Sequence, residues 1–332
     1  MNSYAYYKLP YDDHYTVVEG DAARLTGLSE LGTTAGFAVA PFSPDDQKPL
    51  VLIRTGSVRR LRITERQQEA SHEAPAATAP TSDYERIFKS FHDVVSEGWV
   101  KKLVLSRHED MDCTAEPTAL FLRACQMYPR LMCMLFSTPQ TGTWLVASPE
   151  ILVEGRGDAY HTVALAGTMP WQDGYAQWNT KNQEEQQVVA NYMQESLALL
   201  AREILADGPV TMRAGDLAHL RTDFRFHLRE GITIGSLVRQ LHPTPAVCGF
   251  PKEMAQRFIA ENECVDRRYY SGFAGPVGIH GETHLYVSLR CAELHEGHAT
   301  LYAGGGIMPG SQCLSEWIET TYKMKTIRDV LQ

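Results

Sequence analysis

Short alternations of hydrophobic and polar residues dominate the first part of the chain. Residues 1–64 contain apolar runs, such as 36–40 and 50–53, that are separated by turn-forming residues. This pattern predicts a β-rich N-terminal part of antiparallel strands with few helices. From residue 65 to residue 82 the chain is rich in Ala, Pro, Thr, Gln and Glu, which cannot bury much surface. We therefore expect a mobile loop over 65–82.

The pattern changes after residue 82, where longer stretches with helical spacing alternate with short apolar runs. Apolar residues that share one helical face predict helices over residues 83–97, 179–206 and 314–331. Short apolar runs predict strands over residues 100–107, 144–147, 151–154, 286–291 and 301–303. Because strands outnumber crossover helices, a parallel dinucleotide-binding fold is not indicated.

Composition and charge narrow the class of protein. The 332 residues carry a formal net charge of −9, which argues against nucleic-acid binding because that rests on basic patches. An anionic substrate would have to be held by local cations. The first residues lack the features of a secretory signal, and no apolar run reaches the ~20 residues of a membrane span. Seven scattered cysteines predict reduced thiols, no structural zinc and a cytoplasmic location.

Three prolines and a histidine stand close together from Leu241 to Pro251, in the order Leu-His-Pro-Thr-Pro-Ala-Val-Cys-Gly-Phe-Pro. Proline fixes its own φ and disfavours helix in the residue before it, so the segment predicts a rigid, extended stretch. Such a stretch suits the wall of a binding pocket with His242 built into it. A plain connector between two elements would have the same pattern.

Glu185 is the carboxylate with the most informative position. On the helix predicted from residue 179, Glu185 lies on the apolar face with Val188 and Tyr192, whereas Glu184 lies on the solvated side. A buried carboxylate is costly without a partner, so a cation is a natural reason for Glu185 to face inwards. The alternative is an acidic residue in the first turns that the helix dipole stabilises.

Glu316 and Glu319 stand three residues apart at the start of the predicted C-terminal helix, and Lys323 follows Glu319 by four. One interpretation is a first-turn acid followed by a solvated Glu–Lys pair, which stabilises a helix by only ~0.2–0.5 kcal/mol. The other is a set of oxygen ligands for a hard divalent cation such as Mg²⁺, which typically takes one or two protein carboxylates.

Lys101, Lys102 and Glu150 also have two interpretations each. Either lysine could discourage edge-to-edge aggregation of the strand near residue 100, and strand alternation does not choose between them. Glu150 follows Ser148 and Pro149 and could simply close a β-turn. A neutral lysine, or a glutamic acid kept protonated by an apolar site, could instead act as general base or general acid.

Several motifs, taken in order, resemble the chorismate-utilising enzymes, the family of isochorismate, salicylate, anthranilate and aminodeoxychorismate synthases. The motifs lie at residues 102–107 (KLVLSR), 148–150 (SPE), 181–186 (KNQEEQ), 241–251, 266–275 (DRRYYSGFAG), 287–292 (VSLRCA), 302–307 (YAGGGI) and 315–320 (SEWIET). The resemblance covers residues 83–332 and is strongest towards isochorismate synthases. The chain departs from the family at Glu184 and Gln186, where histidines often flank the first metal-binding glutamate.

The resemblance implies both a fold and a reaction. The fold would be α/β (α+β), with large antiparallel β-sheets layered with helices in a single chorismate-binding domain over 1–332 and a catalytic core over 83–332. Lys102 would be the general base that activates water, and Glu150 the general acid for the leaving hydroxyl. Mg²⁺ would be held by Glu185 and Glu319, with Glu316 either behind these ligands or in a water-mediated contact.

The resemblance also implies two sets of contacts with the substrate, chorismate. Contacts with its enolpyruvyl carboxylate are implied for Arg290, Tyr270, Gly304, Gly305 and Gly306. Contacts with its ring or with the attacking water are implied for Gly167, Thr168, His242 and Lys323. Glycines suit this role because they permit close approach of the backbone. Apart from the resemblance, Arg290 would be interpreted as a strand-end arginine in a surface pair.

Ala166 narrows the choice within the family. One group of aminodeoxychorismate synthases has a nucleophilic lysine at this position, and enzymes that use ammonia generally lack the base at Lys102. Alanine at 166 with lysine at 102 thus implies water as the nucleophile, as in isochorismate synthase or, alternatively, salicylate synthase. A non-catalytic chorismate-binding subunit would be expected to lose some of these residues. We expect an isomerase of menaquinone biosynthesis, or alternatively of a catechol siderophore pathway, that is a cytoplasmic monomer or weak homodimer.

Overall fold

Two large antiparallel sheets and a set of α-helices make up the fold. The computed structural model describes residues 3–63, 78–171, 177–214 and 216–332. The strands within these residues are β1 (Ser3–Lys8), β2 (His14–Gly20), β3 (Ala22–Arg24), β4 (Gly36–Ala40), β5 (Val51–Arg54), β6 (Ser57–Arg62), β7 (Lys102–Asp112), β8 (Met132–Thr138), β9 (Gly142–Ser148), β10 (Ile151–Arg156), β11 (Ala159–Pro170), β12 (Ala201–Ala214), β13 (Leu217–Leu228), β14 (Gly249–Phe250), β15 (Phe273–Val277), β16 (Glu282–Val287), β17 (Cys291–Leu294) and β18 (His298–Ile307). The helices are α1 (Ser82–Ser96), α2 (Pro117–Met127), α3 (Thr180–Leu200), α4 (Ile234–Leu241), α5 (Lys252–Asn262) and α6 (Cys313–Leu331).

The strands form two nine-stranded sheets whose neighbouring pairs are antiparallel. The first sheet has the order β14-β7-β18-β17-β9-β8-β1-β2-β6, and the second has the order β12-β13-β11-β10-β16-β15-β4-β5-β3. The β-rich N-terminal part contributes β1, β2 and β6 to the first sheet and β3, β4 and β5 to the second. These strands therefore complete both sheets. The loop predicted over 65–82 lies outside the described residues as far as residue 77.

The two sheets pack face to face, and helices cover their outer faces. Phe136 of β8 and Tyr286 of β16 belong to the apolar core that both sheets share. Met193 of α3 packs with Phe224 of β13 in a second core on the outer face of the second sheet. Helices α2 and α6 bury a third core against the first sheet. Each sheet can bury both faces because successive side chains of a strand point to opposite sides. Among the described residues, no helix is long and apolar enough to cross a membrane.

Two predicted elements were wrong at their ends. The helix predicted over 179–206 stops at Leu200, and residues 201–214 form β12, which pairs with β13. The backbone partner offered by β13 outweighs the weak helical preference of this stretch. The strand predicted over 286–291 is interrupted at 288–290, because Arg290 has a φ of 47°, outside the β region. The other predicted helices and strands are present, and several are longer than predicted.

Candidate active site

A small cavity of about 60 Å³ beside β18 brings together most of the residues predicted for a site. The predicted residues that line it are Glu150, Gly167, Thr168, Glu185, Tyr270, Arg290, Gly304, Gly306 and Lys323. Ala246 and Val247 also line it, so the proline-rich segment forms part of its wall, as its sequence suggests. The predicted residues outside the lining are Lys102, His242, Gly305, Glu316 and Glu319.

A larger cleft of about 600 Å³ opens between the sheets on the other side of Ser148 and Pro149. Some of the charged residues that line it already have partners, since Arg221 donates to Asp223 at 2.6 and 2.8 Å and the Nδ1 of His284 lies 3.5 Å from Oε2 of Glu154. Size alone does not identify a site of chemistry. Buried carboxyls with shifted pKa values are a better guide, and the smaller cavity has two of them, Glu150 and Glu185. The carboxylate that lines the larger cleft, Glu154, is only partly buried and already contacts His161 and Tyr286 at 2.9 and 3.0 Å.

Lys102 and Glu185 form a buried ion pair beneath the cavity. Lys102 begins β7 and is fully buried, whereas Lys101 is exposed, so the fold decides which lysine faces inwards. The Nζ of Lys102 lies 2.8 Å from Oε1 of Glu185. Burial alone would raise the pKa of Glu185, but the charges of Lys102 and Lys181 outweigh burial and lower this pKa to about 2. Glu184 is exposed, as the helical phase predicts.

The glycines of β18 let charged side chains approach the strand from both faces. A Cβ at Gly306 would lie 2.2 Å from Oε1 of Glu185 and 2.8 Å from Cε of Lys102. A Cβ at Gly305 would lie 3.0 Å from Oε2 of Glu316 on the opposite face. Strand alternation explains why neighbouring glycines meet different partners. The absence of a side chain at Gly306 is what leaves room for the buried ion pair.

Glu150 lies in the turn between β9 and β10 and is buried. Burial raises the pKa of Glu150, whereas the charge of Lys102 and a hydrogen bond from Thr244 lower it. Burial outweighs both, and the resulting pKa is about 7. The Oγ1 of Thr244 donates to Oε1 of Glu150 at 3.3 Å, which connects the proline-rich segment to this carboxyl. A carboxyl with such a pKa carries a proton for much of the time at neutral pH, as a general acid must.

Three lysines face three glutamates where α3 meets α6. Besides the ion pair of Lys102, the Nζ of Lys181 donates to Oε1 of Glu316 at 2.8 Å. The same Nζ lies 3.7 Å from Oε2 of Glu185. Within α6, the Nζ of Lys323 donates to Oε1 of Glu319, one turn earlier, at 2.7 Å. The predicted Glu319–Lys323 pair is therefore present, and it is partly buried rather than solvated.

The carboxylates of this cluster fit a hard divalent cation. Glu185, Glu316 and Glu319 offer oxygen ligands only, the type that Mg²⁺ prefers. The Oε2 of Glu316 is buried without a hydrogen-bond partner among the described residues. Burial and the charge of Glu319 raise the pKa of Glu316 to about 7. The three carboxylates do not converge within 4.8 Å of one another here. In the described part of the chain only a surface group at residues 12–14 does so.

Arg290 and His219 form a cationic wall of the cavity. The Nη2 of Arg290 donates to Nε2 of His219 at 2.5 Å, and its Nη1 is buried with no hydrogen-bond partner among the described residues. Burial and the charge of Arg290 hold the pKa of His219 well below its usual range, so this imidazole is neutral. The left-handed φ of Arg290 is a strained conformation that costs about 1–3 kcal/mol. A buried guanidinium N–H without a partner suits an anionic group of a ligand.

His219 is a cavity residue that the sequence analysis missed. It lies on β13 between the apolar residues Ala218 and Leu220, and a histidine inside an apolar strand was the available signal. Its Nδ1 lies 3.1 Å from the carbonyl oxygen of Gly167 and 3.2 Å from Oγ1 of Thr168. The strand β11 bulges between residues 166 and 168, and this bulge lets Gly167 and Thr168 face the cavity together.

Tyr270 and His242 take different positions relative to the cavity. Tyr270 lines it and stacks on Tyr302 with 5.8 Å between ring centroids. The ring of His242 instead packs edge-on against Phe273, with 5.1 Å between centroids. Burial lowers the pKa of His242 to about 4, so this ring is neutral. His242 does not line the cavity, and its contact with a substrate ring stays a prediction.

Arg267 and Glu263 form a second buried ion pair, which ties two walls of the cavity together. The Nε of Arg267 donates to Oε2 of Glu263 at 2.6 Å. Its Nη1 donates to the carbonyl of Val247 at 2.8 Å, and its Nη2 donates to the carbonyl of Val104 at 2.7 Å. Val104 and Val247 both line the cavity. The arginine therefore holds the proline-rich segment against β7.

Arg267→Met is expected to lower the free energy of unfolding by roughly 3–5 kcal/mol, because it leaves Glu263 buried and unpaired. The matched control is Arg257→Met, which removes an exposed pair of the same spacing with Glu261 at 2.8 Å. The control should lose little stability, because solvent screens an exposed ion pair. Urea unfolding followed by circular dichroism measures both variants. Equal losses would contradict a special role for the buried pair.

Comparison with known proteins identifies the family of the chain. A family model described as "Chorismate binding enzyme" matches residues 46–332. The isochorismate synthase EntC of Escherichia coli K12 is 32% identical over 70% of this chain and 62% of that protein. The isochorismate synthase MenF of the same strain is 32% identical over 72% of this chain and 57% of that protein. The chain thus spans less than two thirds of the length of these two relatives.

A solved structure gives the comparison at the level of fold. The structure of MenF from Escherichia coli, described as a menaquinone-specific isochorismate synthase, matches with a TM-score of 0.81 at 23% identity. The match covers 100% of this chain and 89% of that chain. The predicted arrangement of large antiparallel sheets layered with helices is therefore confirmed.

Proposed function

We propose that this chain, which belongs to the family of chorismate-binding enzymes, is an isochorismate synthase. In this reaction water adds at C2 of chorismate, the ring double bonds shift, and the C4 hydroxyl leaves. The observation that carries the proposal is one cavity in which a protonatable Glu150 and a cationic Arg290 lie beside the buried ion pair of Lys102. The similarity to proteins named isochorismate synthase supports the same activity.

Glu150 and Lys102 suit the two proton transfers of this reaction. Hydroxide is a poor leaving group, so the C4 hydroxyl needs a proton as its bond breaks. Glu150, whose pKa burial raises to about 7, can hold that proton inside the cavity. Water becomes an effective nucleophile as it loses a proton, and we assign Lys102 as the group that accepts this proton. The side chain at position 166 is a methyl group that lines the cavity and offers no competing nucleophile.

The charged groups of the cavity suit the two carboxylates of chorismate. The free Nη1 of Arg290 would donate to the enolpyruvyl carboxylate, and Tyr270 lines the same cavity. Glu185 and Glu319 would hold Mg²⁺ with Glu316 nearby, as their oxygen-only donor set suggests. When bound, Mg²⁺ would supply positive charge that anchors the carboxylate on the ring.

We further propose that the product serves menaquinone biosynthesis in the cytoplasm, with the protein as a monomer or weak homodimer. MenF of Escherichia coli, at 32% identity, is the relative that favours this pathway, and EntC of the same strain is 32% identical as well. A catechol siderophore pathway is the alternative. Gene neighbourhood would distinguish the two.

Purified protein incubated with chorismate and Mg²⁺ is expected to give a mixture of chorismate and isochorismate that can be approached from either side. Substrate and product differ only in the position of a hydroxyl and the ring double bonds, so their free energies should be close. Liquid chromatography measures both compounds, and a lactate dehydrogenase assay measures pyruvate, of which little should form. Stoichiometric pyruvate with fluorescent salicylate would identify a salicylate synthase. Failure to consume chorismate would contradict the proposal.

A further inference from the structure

Lys181 occupies a place among the carboxylates that the proposed reaction does not use. It lies in the first turn of α3, four residues before Glu185. Its ammonium group bridges the two helices, since it donates to Oε1 of Glu316 on α6 at 2.8 Å and lies 3.7 Å from Oε2 of Glu185. Of the described residues that form α3, Lys181 is the only lysine.

The three lysines of the cluster differ in how firmly they are held. Lys102 is fully buried, and its aliphatic chain passes beside Gly306. The Nζ of Lys323 donates to the carbonyl of Gly304 at 2.9 Å as well as to Glu319. The side chain of Lys181 is 18% exposed, and its partners among the described residues are the carboxylates of Glu185 and Glu316. Lys181 is therefore the lysine of this cluster that can leave its partners with the least disruption.

A divalent cation held by Glu185, with Glu316 nearby, would meet the same two carboxylates that the Lys181 ammonium group contacts. Two cations bound to one set of carboxylates repel each other strongly in a partly buried site. A lysine is a point charge on a flexible stem, so it can turn into solvent without moving the helix. The carboxylates also do not converge in this conformation, and Lys181 lies between two of them.

We propose that Lys181 is an internal counter-cation that holds the carboxylates of Glu185 and Glu316 in the metal-free protein, and that a divalent cation binds by displacing its ammonium group. Lys181 is thus a positioning residue that sets the affinity for the cation. This inference rests on the proposed function, because it concerns the same carboxylates.

Isothermal titration calorimetry with Mg²⁺, and electron paramagnetic resonance of bound Mn²⁺, test the proposal without any turnover. Lys181→Met and Lys181→Gln should each bind the cation at least about tenfold more tightly than the natural protein, because no ammonium group has to be displaced. Lys181→Arg keeps the charge and should bind no more tightly than the natural protein. Lys181→Gln retains a hydrogen-bond donor for Glu316, which guards against loss of folding.

Melting temperature supplies a second readout. In EDTA, Lys181→Met should melt below the natural protein, because two carboxylates lose their counter-cation, and saturating Mg²⁺ should close the gap. The control is Lys89→Met, which removes an exposed pair of the same spacing with Asp93 at 2.6 Å. It should change neither cation affinity nor the response to Mg²⁺.

The outcomes separate this inference from the proposed function. If the natural protein binds Mg²⁺ and converts chorismate but the neutral Lys181 variants bind the cation equally or less tightly, only the role of Lys181 is overturned. If the natural protein binds no divalent cation at all, the metal part of the proposed function fails together with the displacement by Lys181.

Discussion

Glu150→Gln and Lys102→Ala are each expected to lower kcat for chorismate by at least about a hundredfold, the usual contribution of a general acid or base. Glutamine has the shape of Glu150 but cannot deliver a proton. Because burial raises the pKa of Glu150 to about 7, its protonated fraction falls as pH rises through that value. The rate should therefore decline above about pH 7, and Glu150→Gln should lack that decline. Steady-state kinetics across pH measures both effects.

The control for the base is its neighbour in the chain. Lys101 is exposed while Lys102 is fully buried, so Lys101→Ala should keep the natural rate. Circular dichroism would verify that Lys102→Ala remains folded after the loss of its ion pair with Glu185. A full rate in Lys102→Ala with a loss in Lys101→Ala would contradict the assignment of the base.

Chelation with EDTA is expected to abolish turnover, and added Mg²⁺ should restore it. Glu185→Gln should lower kcat/KM by at least about a hundredfold, because a bound metal ion stabilises charge in the transition state by several kcal/mol. Glu184→Gln removes a carboxylate one position away on the exposed side of the same helix and should have little effect. Initial rates at a fixed chorismate concentration and increasing Mg²⁺ concentrations measure how turnover depends on the metal ion. Full activity of Glu185→Gln in saturating EDTA would remove the metal from the proposal.

Patterns that depend on neighbours along the chain were predictable. Helical phase alone places Glu185 inside and Glu184 outside, and the structure agrees. The i, i+4 spacing of Lys181 and Glu185 is likewise visible in the sequence as a pair on one helix face. The end of α3 was not predictable in this way, because residues 201–214 follow the backbone partner that β13 provides and not their own preference.

Features that depend on which faces meet were not predictable. Strand alternation predicts that Lys101 and Lys102 point to opposite faces of the sheet, but it does not predict which face the rest of the protein buries. His219 also left little trace in the sequence, because its role comes from Arg290, which is 71 residues away along the chain and 2.5 Å away in space. The proline-rich segment suggested His242 as a pocket residue, whereas the fold places Ala246 and Val247 at the cavity.

By itself, the sequence determined the inward phase of Glu185, the strand-rich composition of the chain and the glycine run of β18. These follow from local sterics and from the period of each element, which act between residues close in the chain. Only the tertiary structure decided that Lys102 is buried, that Glu150 has a raised pKa and that Lys181 bridges α3 and α6. These properties arise from desolvation and from charges brought together across two sheets, and no local pattern carries that information.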